Sequence, residues 1–134
     1  EIRLSLVGSE MCIRDRCMQL LRDRPEDFLI VSGDDDLVLP ELAAGIDGVI
    51  SVAANCFPKQ FADMVRAGIA GDFITANKLN NPLIEAYNLL FAENNPAGVK
   101  AFLFEQGLIK NKLRLPLVPV SDALQQKIKL YLQS

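Results

Sequence analysis

Three aspartates in a row, Asp34, Asp35 and Asp36, follow Ser32 and Gly33, which themselves close the apolar run of residues 28–31 (FLIV). That placement invites three readings. Backbone amides of a glycine turn that enters a helix favour an anion, so a substrate carboxylate is one guest. Clustered aspartates could instead hold Mg²⁺, as in a receiver-like domain, but such a domain alternates strands and helices to its end and this sequence does not. The plainest reading has the three side chains capping a helix and facing water.

Nucleophilic chemistry has less to work with. The chain has no His, and its seven lysines, at 59, 78, 100, 110, 112, 127 and 129, fall outside both buried-strand patterns. Desolvation there would be needed to lower an amine's pKa enough for a Schiff base. Cysteines stand at 12, 17 and 56, which is neither zinc spacing nor an even disulfide framework. Cys56 follows a strand and reads as a small apolar filler. No metal site and no cofactor are expected.

The elements that must position these groups can be read from the apolar pattern. Residues 28–31 and 48–52 (GVISV) are short continuous apolar runs bounded by polar residues and glycine, the pattern of parallel strands buried on both faces. After the first, Asp36 is placed to cap a helix over residues 37–44, with Gly45 as its C-terminal stop. After the second comes a helix from Pro58, with Phe61, Val65 and Ile69 on one face. From Gly71 on the strands cease. Asp72 can cap a long helix with Phe73, Ala76, Leu79, Leu83, Ala86 and Leu90 inward, kinked at Pro82. A shorter helix over residues 99–104 ends at Gly107, residues 113–119 are too proline-rich for regular structure, and Ser121 caps a last helix with Leu124, Ile128 and Leu132 on its stripe. Met18, Leu20 and Leu21, ahead of Pro25, read as the last turns of a helix whose beginning is missing.

The 134 residues suit one domain, and 14 basic against 17 acidic side chains give a net charge of −3. Scattered basic residues with an acidic surplus argue against a nucleic-acid partner. No run approaches the ~18 apolar residues of a membrane span, and Glu10, Arg14, Asp15 and Arg16 cut the N-terminal apolar stretch too early for a signal peptide. A cytoplasmic setting without a membrane partner is the expectation. Residues 4–16 (LSLVGSEMCIRDR) show neither period and resemble the translation of a transposase-end adapter used in DNA sequencing libraries, residues 11–16 matching it without a gap. Residues 1–16 are therefore expected to be an adapter-derived artefact, with authentic sequence truncated on its N-terminal side.

From residue 28 a specific resemblance develops: FLIVSGDD at 28–35, GVISVAAN at 48–55, Gly71-Asp72-Phe73, NPAGVK at 95–100, Gly107-Leu108-Ile109 and LRLPLVP at 113–119. In order and spacing, residues 17–134 resemble the C-terminal half of the dihydrodipicolinate synthases. The resemblance implies the C-terminal part of a TIM (β/α)8 barrel, its seventh and eighth strands with their helices over residues 17–70, and a three-helix C-terminal domain over residues 71–134. It also implies a cytoplasmic, homo-oligomeric parent lyase of diaminopimelate and lysine biosynthesis, typically a homotetramer, whose small-molecule partners are pyruvate and aspartate semialdehyde. The family's Schiff-base lysine and proton-relaying tyrosine lie upstream of residue 17, so this chain alone is expected to be inactive. By matching position, Ile50 would face pyruvate with its main-chain carbonyl, and Gly33, Asp34 and Asp35 would lie near the carboxylate of the second substrate. Gly98 departs from the many members with proline there. Two other readings stay open: a piece of another pyruvate-dependent aldolase such as an N-acetylneuraminate lyase, which usually differs at SGDD and GVISV, or a non-catalytic binding domain.

Overall fold

A computed structural model of the chain describes residues 10–134, with side chains from Arg16 onward. Its first helix, α1 (Glu10–Asp23), begins earlier than the apolar pattern suggests and stops two residues before Pro25. No Gly or Pro interrupts EMCIRDRCMQLLRD, and a nucleated helix runs through such a stretch at little cost. The expectation for residues 1–9 lies outside the described residues.

The two apolar runs form strands β1 (Val31–Ser32) and β2 (Gly48–Val49), paired in parallel with Val31 opposite Gly48 and Ser32 opposite Val49. Both are shorter than their runs. Flanking bonds extend the pairing: the Asp47 N–H donates to the Ile30 carbonyl (2.8 Å) and the Ile50 N–H to that of Ser32 (2.9 Å). The Asp47 carboxylate accepts from the Ile30 amide at 2.8 Å and pairs with Arg24, clamping the entrance to β1. Burial on both faces is not realised. Ile30 is buried, but Leu29 is 67% exposed and Phe28 also lies open, because two-sided burial needs helical layers on both faces and neighbouring strands, and among the described residues the sheet has two strands.

Helix α2 (Val38–Ala44) joins them and buries Val38, Leu39 and Leu42. Asp36 does not cap it, contrary to expectation: Leu37 occupies the cap position in a helical conformation with no side-chain bond. The other end is as expected, with Gly45 at φ 107° and its N–H on the carbonyls of Glu41 and Leu42, a left-handed stop that favours glycine. A 3₁₀ turn (Ala53–Asn55) precedes α3 (Pro58–Ile69), which starts on proline as expected. Its buried stripe is Phe61, Met64 and Gly68, and Ile69 is 59% exposed, so the i, i+3, i+7 stripe replaces the expected spacing of four. Gly68 explains the choice. A Cβ there would stand 2.8 Å from Leu42 Cδ1, so the missing side chain lets α2 approach on that side.

The rest is helical: α4 (Phe73–Asn80), α5 (Leu83–Phe91), α6 (Ala97–Glu105) and α7 (Asp122–Gln133). The expected long first helix is two helices, separated at Asn81 and Pro82, since proline lacks the amide donor and clashes with the preceding turn. The Tyr87 hydroxyl spans the break to Asn80 Oδ1 at 3.0 Å. Ala76, Leu83, Ala86 and Leu90 are buried as the pattern requires, and Phe73 and Leu79 half so. Asp72 caps α4 by accepting from the Thr75 amide (3.0 Å), and Ser121 caps α7 by accepting from that of Leu124 (3.2 Å). At Gly98 a Cβ would fall 2.0 Å from the Leu90 carbonyl oxygen; only glycine admits this approach of α6 to α5.

The change of pattern at residue 70 is not a break in packing. The Phe57 ring meets Phe102 of α6 (5.6 Å between centroids) and Tyr131 of α7 (6.0 Å), all edge to face, an arrangement that adds to plain area burial. Beside them Gln106 Nε2 donates to the Cys56 carbonyl at 3.0 Å.

Candidate functional site

In parallel α/β folds the loops after the strands' C-terminal ends collect ligands, because helix crossovers lead away from that end and leave it open. Here those loops are residues 33–37 after β1 and residues 50–52 after β2. The candidate residues Gly33, Asp34, Asp35 and Ile50 all fall on them, but they face three different surroundings.

Gly33 and Ile50 share one groove of about 220 Å³, with Leu20, Phe28 and Leu29 among its other walls. Gly33 is open, with nothing within 4 Å of a built Cβ. The Ile50 side chain is 76% exposed, and its carbonyl takes part in none of the hydrogen bonds among the described residues outside the regular elements. Asp34 faces elsewhere. It lines a cavity of about 370 Å³ with Asp36, Tyr87, Asn88 and Phe91. Partial burial, then hydrogen bonding to Asp36 and the charges of Asp36, Glu41 and Asp35, push its carboxyl up to about 6. A neighbouring carboxylate disfavours the charged form of Asp34.

Asp35 departs most from the simplest reading, in which all three aspartates face water. It is only 2% exposed, and its Oδ2 accepts from the amides of Val52 (3.2 Å) and Ala53 (2.8 Å). Ser51 Oγ takes the Ala54 amide at 2.9 Å. The first amides of the 3₁₀ turn after β2 are therefore held by the chain's own side chains, and Asp35 sits where an external anion would bind. It ties the two C-terminal-end loops together. Its negative charge also reaches the core: burial first and the Asp35 charge second push the Cys56 thiol up to about 12 and the Tyr87 hydroxyl upward. Cys56 is thus an inert thiol, a filler as expected.

Among the described residues no lysine or arginine lines either cavity, and no cluster of three metal-ligating side chains occurs. No helix among them is long and apolar enough to cross a membrane. Sequence reasoning missed Tyr87 and Asn88 on the acidic cavity, because contacts across some fifty residues leave no local signal. The Asp35 link left no local signal either, since aspartates after a strand are ordinarily solvated.

Parallel strands joined through a helix, ligand-facing loops at one end and a helical layer packed behind them define part of a (β/α)8 barrel with its C-terminal helical domain. Among solved structures, dihydrodipicolinate synthase from Thermotoga maritima superposes with a TM-score of 0.87 at 35% identity, covering 96% of this chain and 43% of that one. The enzyme of the same name from Aquifex aeolicus gives 0.85 at 36% identity, over 89% and 41%. The chain belongs to the Dihydrodipicolinate synthetase family, whose family model matches residues 5–134. The 4-hydroxy-tetrahydrodipicolinate synthase of Azobacteroides pseudotrichonymphae is 45% identical over 115 residues, covering 86% of this chain and 39% of the relative. That of Chloroherpeton thalassium is 46% identical over 110 residues, 82% of this chain and 36% of the relative. The chain thus spans about two-fifths of the length of the curated relatives it matches.

Proposed function

We propose that this chain is the C-terminal part of a lyase that condenses pyruvate with aspartate semialdehyde on the way to diaminopimelate and lysine, and that it supplies one wall of the active site without its covalent chemistry. The observation that carries the proposal is the family match over residues 5–134 in a chain whose Gly33 and Ile50 line one groove at the C-terminal ends of adjacent parallel strands. In this reading β1 and β2 are the seventh and eighth barrel strands. The Ile50 carbonyl faces the bound pyruvate, and Asp35 acts from behind by fixing the loop that carries Ile50. Gly33 and Asp34 border the place of the second substrate.

The amine that would attack the pyruvate carbonyl, releasing water as the imine forms, belongs to the rest of the enzyme, as does the tyrosine that relays protons. A depressed pKa is what such an amine requires, and the lysines here stand outside β1, β2 and both cavity walls. The parent acts in the cytoplasm as a homo-oligomer.

Borohydride reduction in the presence of pyruvate tests the assignment of roles. The mass of this chain should stay unchanged and condensation activity should be nil, whereas a full-length polypeptide in which residues 17–134 replace the matched part of the Azobacteroides relative should gain a reduced pyruvyl adduct. A stable adduct on this chain alone, or an inert full-length chimera that folds, would overturn the proposal.

A further inference from the structure

Ser32 makes two kinds of contact at the C-terminal end of β1, with different atoms. Its main-chain carbonyl accepts from the Ile50 N–H at 2.9 Å, which fixes the start of the loop after β2. Its side chain holds the loop after β1 instead: Oγ accepts from the Asp34 N–H at 3.1 Å and donates to the Asp34 carbonyl at 3.2 Å. The residue is only 6% exposed and forms part of the groove wall beside Gly33 and Ile50. Among the described residues, no main-chain to main-chain hydrogen bond outside the regular elements uses the backbone of Gly33 or Asp34. A Cβ built at Gly33 would meet open space, and glycine has the widest choice of backbone conformations. With the hydroxyl gone, water can take its place at Asp34, which is exposed, so folding loses little. The loop, however, loses the contacts that select one conformation for it.

We propose that the Ser32 hydroxyl is a positioning group for the second substrate. By clamping Asp34 it sets the loop of Gly33 and Asp34 against which aspartate semialdehyde binds, while the Ser32 carbonyl, through Ile50, serves the pyruvate side. The inference rests on the lyase reading given above. It adds a residue, outside those that border either substrate, whose side chain governs the affinity for one of the two alone. Alanine at this position removes the hydroxyl and leaves the carbonyl in its bond to Ile50, so the two sides can be perturbed separately at one residue.

Steady-state kinetics of the full-length chimera described above test it, with a thermal melt of each variant to establish that it folds. Ser32→Ala should raise KM for aspartate semialdehyde by roughly three- to tenfold, the order set by one lost hydrogen bond. Its kcat and its KM for pyruvate should stay within about twofold of the parent. Ser32→Thr keeps the hydroxyl and suits a strand position, so it should bring KM for aspartate semialdehyde back to within about twofold of the parent. On this chain alone, amide hydrogen exchange in Ser32→Ala should quicken at Asp34 and stay unchanged at Ile50, whose N–H keeps the Ser32 carbonyl. The proposal is overturned by an active Ser32→Ala chimera with the parent's KM for aspartate semialdehyde, by a rise in both KM values together, by a threonine variant no better than alanine, or by unchanged exchange at Asp34. Each of these leaves the lyase reading standing, whereas a folded chimera that takes up no pyruvate overturns that reading and this inference with it.

Discussion

The strand end and the helical end of this chain solve the burial problem to different degrees. Around β1 and β2, Phe28, Leu29 and Ile50 lie open and α2 lacks a side-chain cap. In α5 to α7, Leu83, Ala86, Leu90, Phe102 and Ile128 are fully enclosed, and Asp72 and Ser121 serve as working caps. A helix pairs its own backbone and needs only a partner for one stripe, which neighbours in sequence can supply. A parallel strand needs partners on two edges and two faces, and those come from far along a chain.

The largest test of this contrast is Phe102→Ala set beside Leu29→Ala. Removing the enclosed ring should cost about 3–5 kcal/mol, read as a loss of the cooperative thermal transition, whereas the exposed leucine should change stability by less than about 0.5 kcal/mol. If both cost the same, the two ends are not packed differently. Next comes Gly98→Ala against Gly33→Ala. The first forces a Cβ onto the Leu90 carbonyl and the second meets open space, so the expected difference in denaturant midpoint corresponds to about 1–3 kcal/mol.

Smaller still, Asp35→Asn keeps the shape but weakens two charge-assisted bonds, for about 1–2 kcal/mol. Its signature is local: faster hydrogen exchange at Val52 and Ala53, with α5 to α7 unchanged. The smallest effect is on pH dependence. Asp34 titrates near 6 when folded and at its ordinary 3.8 when unfolded, so the folded chain holds more protons between those values and its contribution to stability falls as pH rises through them. Asp34→Asn should therefore raise the melting temperature at pH 7, by an amount that solvent screening keeps modest, and the gain should vanish below about pH 4. A gain that grows on acidification would reverse the sign of this account.

Legibility in the sequence follows the same division. The caps at Asp72 and Ser121, the stop at Gly45 and the inward set Ala76, Leu83, Ala86 and Leu90 are written in local spacing and are read correctly. What fails is set by neighbours distant in sequence: which face α3 buries depends on Leu42 meeting Gly68, and the strands shorten because apolarity alone does not provide partners. At the site, the loop after β1 was legible as the place of Gly33, Asp34 and Asp35, since a glycine and acids after an apolar run mark a strand's end, whereas Ile50, read as part of the second strand, lies just beyond it. Their division among a groove, an acidic cavity and a buried tie was not, because Asp35 finds Val52 and Ala53, and Asp34 finds Tyr87, only after the chain has turned back on itself.

The ring of Phe57 belongs by sequence to the strand–helix region, yet it is wedged between Phe102 and Tyr131. A recombination crossover near residue 70 would therefore split one three-ring cluster between two parents. Swapping helical tails between relatives at that seam should succeed only when donor and recipient bring rings of matching size and tilt, which makes the helical region a co-inherited wall of the barrel and a poor interchangeable module.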